Sequence, residues 1–117
     1  MRDIVNERNA KRIVVNFQDD ETGEPVTVST AEWRMDCLTN DQVVQDWTAT
    51  TVQTITGDLG AVLEYKTIIA IPAGNNRILN DANKRELKLV QVVADRGLDT
   101  EFSTEVEYYV VNRKGRT

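Results

Sequence analysis

The 117-residue chain contains no histidine, and that bounds the chemistry it can do. Without imidazole there is no Ser-His-Asp or Cys-His arrangement, and the commonest transition-metal ligand is missing. The G-x-G-x-x-G, P-loop and H-E-x-x-H motifs do not occur either. Carboxylates are plentiful, and the densest run is Asp19-Asp20-Glu21 with Glu24. Such oxygens suit a hard cation, but the D-x-D-x-D-G spacing of a calcium loop is absent, so the run reads as a solvated turn. A glycosidase needs two acids facing each other across a cleft, and nothing in the pattern builds one. No nucleophile–base pair presents itself. The expectation is a non-enzymatic protein with no catalytic residues, no metal and no cofactor.

Cys37 is the only cysteine, so an internal disulfide is impossible. It falls on the apolar side of its local pattern, where a free cysteine acts as a small hydrophobe. The aromatics are Phe17, Trp33, Trp47, Tyr65, Phe102, Tyr108 and Tyr109. Trp47 and Tyr65, if exposed together, would make a sugar-stacking platform. Tyr108 and Tyr109 are adjacent, so on a strand they point to opposite faces. Tyr109, the outward one, is a candidate interface anchor.

The elements that must position these residues are strands. Ala31, Trp33, Met35 and Cys37 alternate with Thr30, Glu32, Arg34 and Asp36, giving a ribbon with one dry and one wet face. Similar runs recur along the chain, and helical spacing appears nowhere over a comparable length. The pattern predicts strands over Lys11–Phe17, 28–38, 43–47, 48–56, 63–71, 86–94 and Phe102–Val111. The 48–56 run is thin in apolar residues and reads as an edge strand. The 86–94 run is apolar on both sides through Leu87, Leu89, Val92 and Val93, as for a central, doubly covered strand. Turns are marked by Gln18 to Pro25, by Thr39-Asn40-Asp41-Gln42, by Gly57-Asp58-Leu59-Gly60, by Pro72-Ala73-Gly74 and by Asp95 to Asp99. Residues 75–84 read as a crossing loop with one helical turn that tucks Ile78 and Leu79 under the core. About seven short strands with such turn spacing predict an all-β immunoglobulin-like sandwich of antiparallel strands, with Trp33 and Trp47 as candidate large core side chains.

Length allows one domain and a modest core. Residues 11–112 form the sandwich. Residues 1–10, without a β pattern, read as an arm, and residues 113–117 as a basic tail, both mobile in the isolated protein. No apolar run has the length of a membrane span or signal peptide, so the chain is expected in a cytoplasm until assembly. The first twelve residues carry +2 and the tail +3, so a chain of −5 overall leaves −10 on residues 13–112. An acidic body argues against nucleic acid as a partner. Basic ends are suited to acidic neighbours. The contact candidates at the ends are Ile4 and Val5 in the arm, and Arg113, Lys114 and Arg116 in the tail.

One further signal lies in the order of segments. Ala31-Glu32-Trp33-Arg34-Met35-Asp36 precedes Trp47-Thr48, then Ile69-Ala70-Ile71-Pro72-Ala73 and Asn76-Arg77-Ile78-Leu79-Asn80. Arg85 to Asp95 and Glu105 to Asn112 complete the series. This order resembles small immunoglobulin-like structural proteins of tailed bacteriophages, over roughly residues 12–112. The likeness is to a pattern of strands and turns and carries no catalytic motif. It implies a multi-copy virion component at the tail or head–tail connector, as a connector-associated or fibre-anchoring module, with other copies and neighbouring virion proteins as partners. The alternatives it leaves are a capsid decoration protein and, from the fold alone, a carbohydrate-binding adhesion module.

Overall fold

The computed structural model describes residues 3–111 apart from Asp20, Asp81 and Thr100, so the basic tail candidates Arg113, Lys114 and Arg116 lie outside the described residues. The chain is all-β: β1 (Asp3–Asn6), β2 (Lys11–Phe17), β3 (Ala31–Cys37), β4 (Gln42–Thr50), β5 (Val52–Thr56), β6 (Val62–Ile71), β7 (Arg85–Ala94) and β8 (Phe102–Val111). A 3-10 turn, Ala73–Asn75, follows β6. The strands form a five-stranded sheet in the order β1-β8-β7-β3-β4 and a three-stranded sheet in the order β2-β6-β5.

One core lies between the sheets. Ile13, Val15 and Phe17 of β2 and Ile69 and Ile71 of β6 meet Trp33 and Met35 of β3, Val90, Val92 and Ala94 of β7, and Tyr108 and Val110 of β8. Strand alternation delivers each set to one face, since successive side chains of a strand point opposite ways. Phe17 and Phe102 seal one margin edge to face, with centroids 5.6 Å apart. Thr67, buried on β6, satisfies its hydroxyl with the Thr51 carbonyl at 2.8 Å and the Thr50 hydroxyl at 3.1 Å. Those bonds stitch the two sheets together where the chain passes from β4 to β5.

Several expectations are corrected. Residues 1–10 are not a free arm, because residues 3–6 form β1 and run parallel to β8, with Ile4 opposite Tyr109 and Val5 opposite Val110. Four residues are too few to display alternation in sequence, and the edge of β8 supplies the pairing. Val5 packs against the core, so it is not a surface contact residue. The 43–47 and 48–56 runs are two strands as expected, with β5 at a sheet edge, but the break falls at Thr51: β4 continues to Thr50 before the chain crosses to the other sheet. Register shifts on β3 around Met35 mark a bulge against β4. β7 does not bury Leu87, Leu89 and Val93, which face outward and are half-buried, while Glu86 and Lys88 point into the core side. Trp33 is a core residue, but Trp47 is not: it is half-buried beneath the Arg96 guanidinium, whose carbon lies 4.0 Å from the ring centroid. The helical turn expected within 75–84 starts two residues before it and ends at its first residue, as Ala73–Asn75; Ile78 is buried and Leu79 half-buried.

Candidate interaction surface

The outer face of the five-stranded sheet carries three exposed apolar side chains, Ile4, Leu38 and Val43, near one end. The register sets Ile4 beside Tyr109, and Tyr109 opposite Leu87. Leu38, just past the end of β3, donates its N–H to the Leu87 carbonyl at 2.9 Å and continues the row. In the adjacent row, Glu107 faces Leu89, Leu89 faces Asp36, and Asp36 faces Val43. Ile4 is 68%, Leu38 43% and Val43 54% exposed, so this end of the face is an apolar strip rather than an isolated residue. Tyr109, the sequence candidate for an anchor, sits within it, and the Arg85 guanidinium stacks over its ring at 4.4 Å. That contact holds the ring in place, the state in which a tyrosine makes a low-entropy anchor.

Toward the other end the face becomes ionic. Arg34 Nε bridges both carboxylate oxygens of Asp36 at 3.2 Å. Arg96 Nε lies 2.7 Å from Glu32 Oε1, a close charge contact in which that oxygen accepts no well-directed hydrogen bond. Gln91 donates to Glu105 at 3.4 Å. An apolar end beside a charged rim is the anatomy of a protein contact surface.

Beneath the apolar strip lies a polar lock that sequence reading missed. The Glu86–Lys88 ion pair is fully buried, with Nζ 3.3 Å from Oε1. Glu86 also accepts from the Leu79 N–H at 2.8 Å, the Asn80 N–H at 3.0 Å, Asn40 Nδ2 at 2.6 Å and Asn83 Nδ2 at 2.9 Å. Burial works to raise its pKa, but the Leu79, Asn83, Asn40 and Asn80 hydrogen bonds outweigh it and hold the carboxyl down to about 2. Lys88 Nζ donates to the Arg77 carbonyl at 3.0 Å, and the Cys37 thiol lies 3.7 Å from Glu86. Tyr108 reaches the same loop: its hydroxyl donates to Asn76 Oδ1 at 2.5 Å, while Asn76 Nδ2 donates to the Asn9 carbonyl at 2.8 Å. Burial pushes the Tyr108 hydroxyl pKa upward, so the proton of that bond stays in place. The only sequence hint of this lock was two charges spaced two apart in an otherwise apolar strand.

The remaining candidates separate. Trp47 lies on the five-stranded sheet and Tyr65 on the three-stranded one, where it packs against the core, so the two build no common sugar platform. Asp19 caps its own turn, accepting from the Glu21 N–H at 2.8 Å and the Thr22 N–H at 3.0 Å, and these bonds lower its pKa. Among the described residues no three His, Cys, Asp or Glu side chains cluster closely enough to hold a metal ion. Comparisons with protein-family models, with characterised proteins and with solved structures gave no match.

Proposed function

We propose that the chain is a non-enzymatic structural module, present in many copies in the virion of a tailed bacteriophage at the tail or head–tail connector, and that it works by protein contacts. The observation that carries this reading is the apolar row of Ile4, Tyr109, Leu87 and Leu38, with Leu89 and Val43 set among Glu107 and Asp36 in the next row, on an otherwise acidic protein. Such a strip is what a surface repeatedly covered by a neighbour needs.

The strand order supports an immunoglobulin-like frame. In that frame β2, β6 and β5 take the places of strands B, E and D, while β3, β7 and β8 take those of C, F and G with β4 as C′. Trp33, 7% exposed on β3, sits where that frame keeps a tryptophan on strand C. The single cysteine means that packing replaces the inter-sheet disulfide of antibody domains.

Two measurements test the proposal. Mass spectrometry of purified particles should find the chain in stoichiometric amounts, and its absence refutes a virion role. The substitution Ile4→Asp places a charge on a residue that is 68% exposed, and should leave the melting temperature nearly unchanged while reducing incorporation into particles. Normal incorporation of Ile4→Asp rejects the strip as the working surface.

A further inference from the structure

A second pair of surface features, at opposite ends of β6, fits together. The first is a cleft of about 580 Å³ at the free edge of β4, lined by Gln42, Val43, Val44, Asn75, Arg77 and Leu79. It combines an apolar floor with amides and one cation. No carboxylate pairs with the Arg77 side chain among the described residues, whereas Lys88 and Glu86 hold the loop backbone from within. The second is the β5–β6 turn. Gly57 donates to the Ala61 carbonyl at 2.8 Å and Gly60 to the Gly57 carbonyl at 3.0 Å, which makes a closed turn with Asp58 and Leu59 at its tip. Gly60 has φ +83°, a conformation that a side chain would strain, so the turn shape is fixed by sequence. Leu59 is 98% exposed, and Asp58 beside it has no cationic partner among the described residues.

A lone exposed leucine is ordinary. This one sits next to an unpaired carboxylate, and the same molecule carries a cleft in which Val43, Val44 and Leu79 lie beside an unpaired guanidinium. We infer that the Asp58-Leu59 tip of one copy inserts into the β4-edge cleft of the next, with Leu59 against Val43, Val44 and Leu79 and Asp58 paired with Arg77. The occupant is a second copy because the charges are complementary and the geometry forbids self-closure. β6 separates the two features, and its ten residues span about 30 Å at ~3.3 Å per residue. Tip and cleft are different patches, so the contact is heterologous and propagates head to tail. It closes into a ring if the rotation permits, and otherwise runs on as a filament. The inference rests on the multi-copy reading above, and of the apolar strip it uses Val43 alone.

The test uses two full-length variants, each altered at an exposed residue. Leu59→Ser removes the insert and Arg77→Glu repels it from the cleft. Light scattering with size-exclusion chromatography should show wild type self-associating, and each variant weakened about tenfold or more, at an unchanged melting temperature. An equimolar mixture of the two should form a 1:1 dimer and nothing larger, because only one productive contact survives. The doubly exchanged Asp58→Arg/Arg77→Asp chain should regain self-association. If both variants associate as wild type does, the tip–cleft contact is overturned. If association is then lost on Ile4→Asp, the multi-copy reading stands without it. A wild type that is monomeric at millimolar concentration overturns self-contact through either surface.

Discussion

Replacing Glu86 by Gln should flatten the acid sensitivity of the fold. The carboxylate is fully buried and holds a pKa of about 2 against an ordinary 4.5. A carboxyl depressed on folding contributes stability above its unfolded pKa, and loses it as pH falls through the folded value. From the two values the contribution is about 3 kcal/mol at neutral pH, disappearing between about pH 5 and pH 2. At pH 7 the substitution also leaves Lys88 buried and charged, facing only the Arg77 carbonyl. It further turns an amide N–H₂ toward donors: Leu79 N–H and Lys88 Nζ if it takes the Oε1 place, or Asn40, Asn80 and Asn83 if it takes that of Oε2. Breaking such a pair costs ~3–5 kcal/mol, a large share of the ~5–15 kcal/mol available to a domain.

The assay is urea unfolding of wild type and Glu86→Gln across pH 7 to pH 2. All other carboxylates titrate in both proteins, so the difference between the curves isolates Glu86. That difference should shrink by about 3 kcal/mol between pH 6 and pH 2. Glu86→Gln/Lys88→Met, which removes the stranded charge as well, should recover part of the loss at pH 7. A gap between wild type and Glu86→Gln that stays constant with pH refutes the lock as the source of acid sensitivity. A gap below about 1 kcal/mol at pH 7 refutes the buried ion pair itself.

Two other outcomes follow from the same network. Tyr108→Phe strands Asn76 Oδ1 in the core and should cost ~1–3 kcal/mol in urea unfolding; an unchanged midpoint would show that water replaces the hydroxyl. Deleting residues 1–10 removes β1, the core contact of Val5 and the bonds that Arg8 and Asn9 make with Asn76. The truncated chain should lose about 2–4 kcal/mol of stability while keeping its circular dichroism spectrum. Full stability after truncation would restore the reading of these residues as a free arm.

What sequence made legible was alternation, and it worked where one face was uniformly apolar. The β2 and β8 runs and the dry face of β3 came out in register because Ile13, Val15 and Phe17, Tyr108 and Val110, and Trp33 and Met35 leave no second choice. It misled on β7, where Leu87 and Leu89 resemble core residues more than Glu86 and Lys88 do. The inward face there is decided by partners distant in sequence, Leu79, Asn80 and Asn40, whose donors make burial of a carboxylate affordable. No local pattern carries that information. β1 was invisible for a related reason: its alternation is two residues deep, and it exists because β8 has a free edge. Ile4 and Tyr109 were picked out separately, for unrelated reasons, and only the parallel register sets them side by side.

The buried lock and the outer surfaces are parts of one design. Lys88 grips the carbonyl of Arg77, and Glu86 grips the N–H groups of Leu79 and Asn80, so the loop that walls the cleft is pinned through its backbone. Its side chains remain available to the cleft. On the other side of β7, Leu87 lies in the apolar strip one residue from each member of the pair. A polar network at this point adds little net stability over an apolar one. What it supplies is a set of backbone tethers from the strand to the loop at Arg77, Leu79 and Asn80. A contact repeated around an assembly benefits from that, because ordering carried out during folding is not charged again at each interface. Loss of the lock should therefore weaken assembly at temperatures where the domain is still folded.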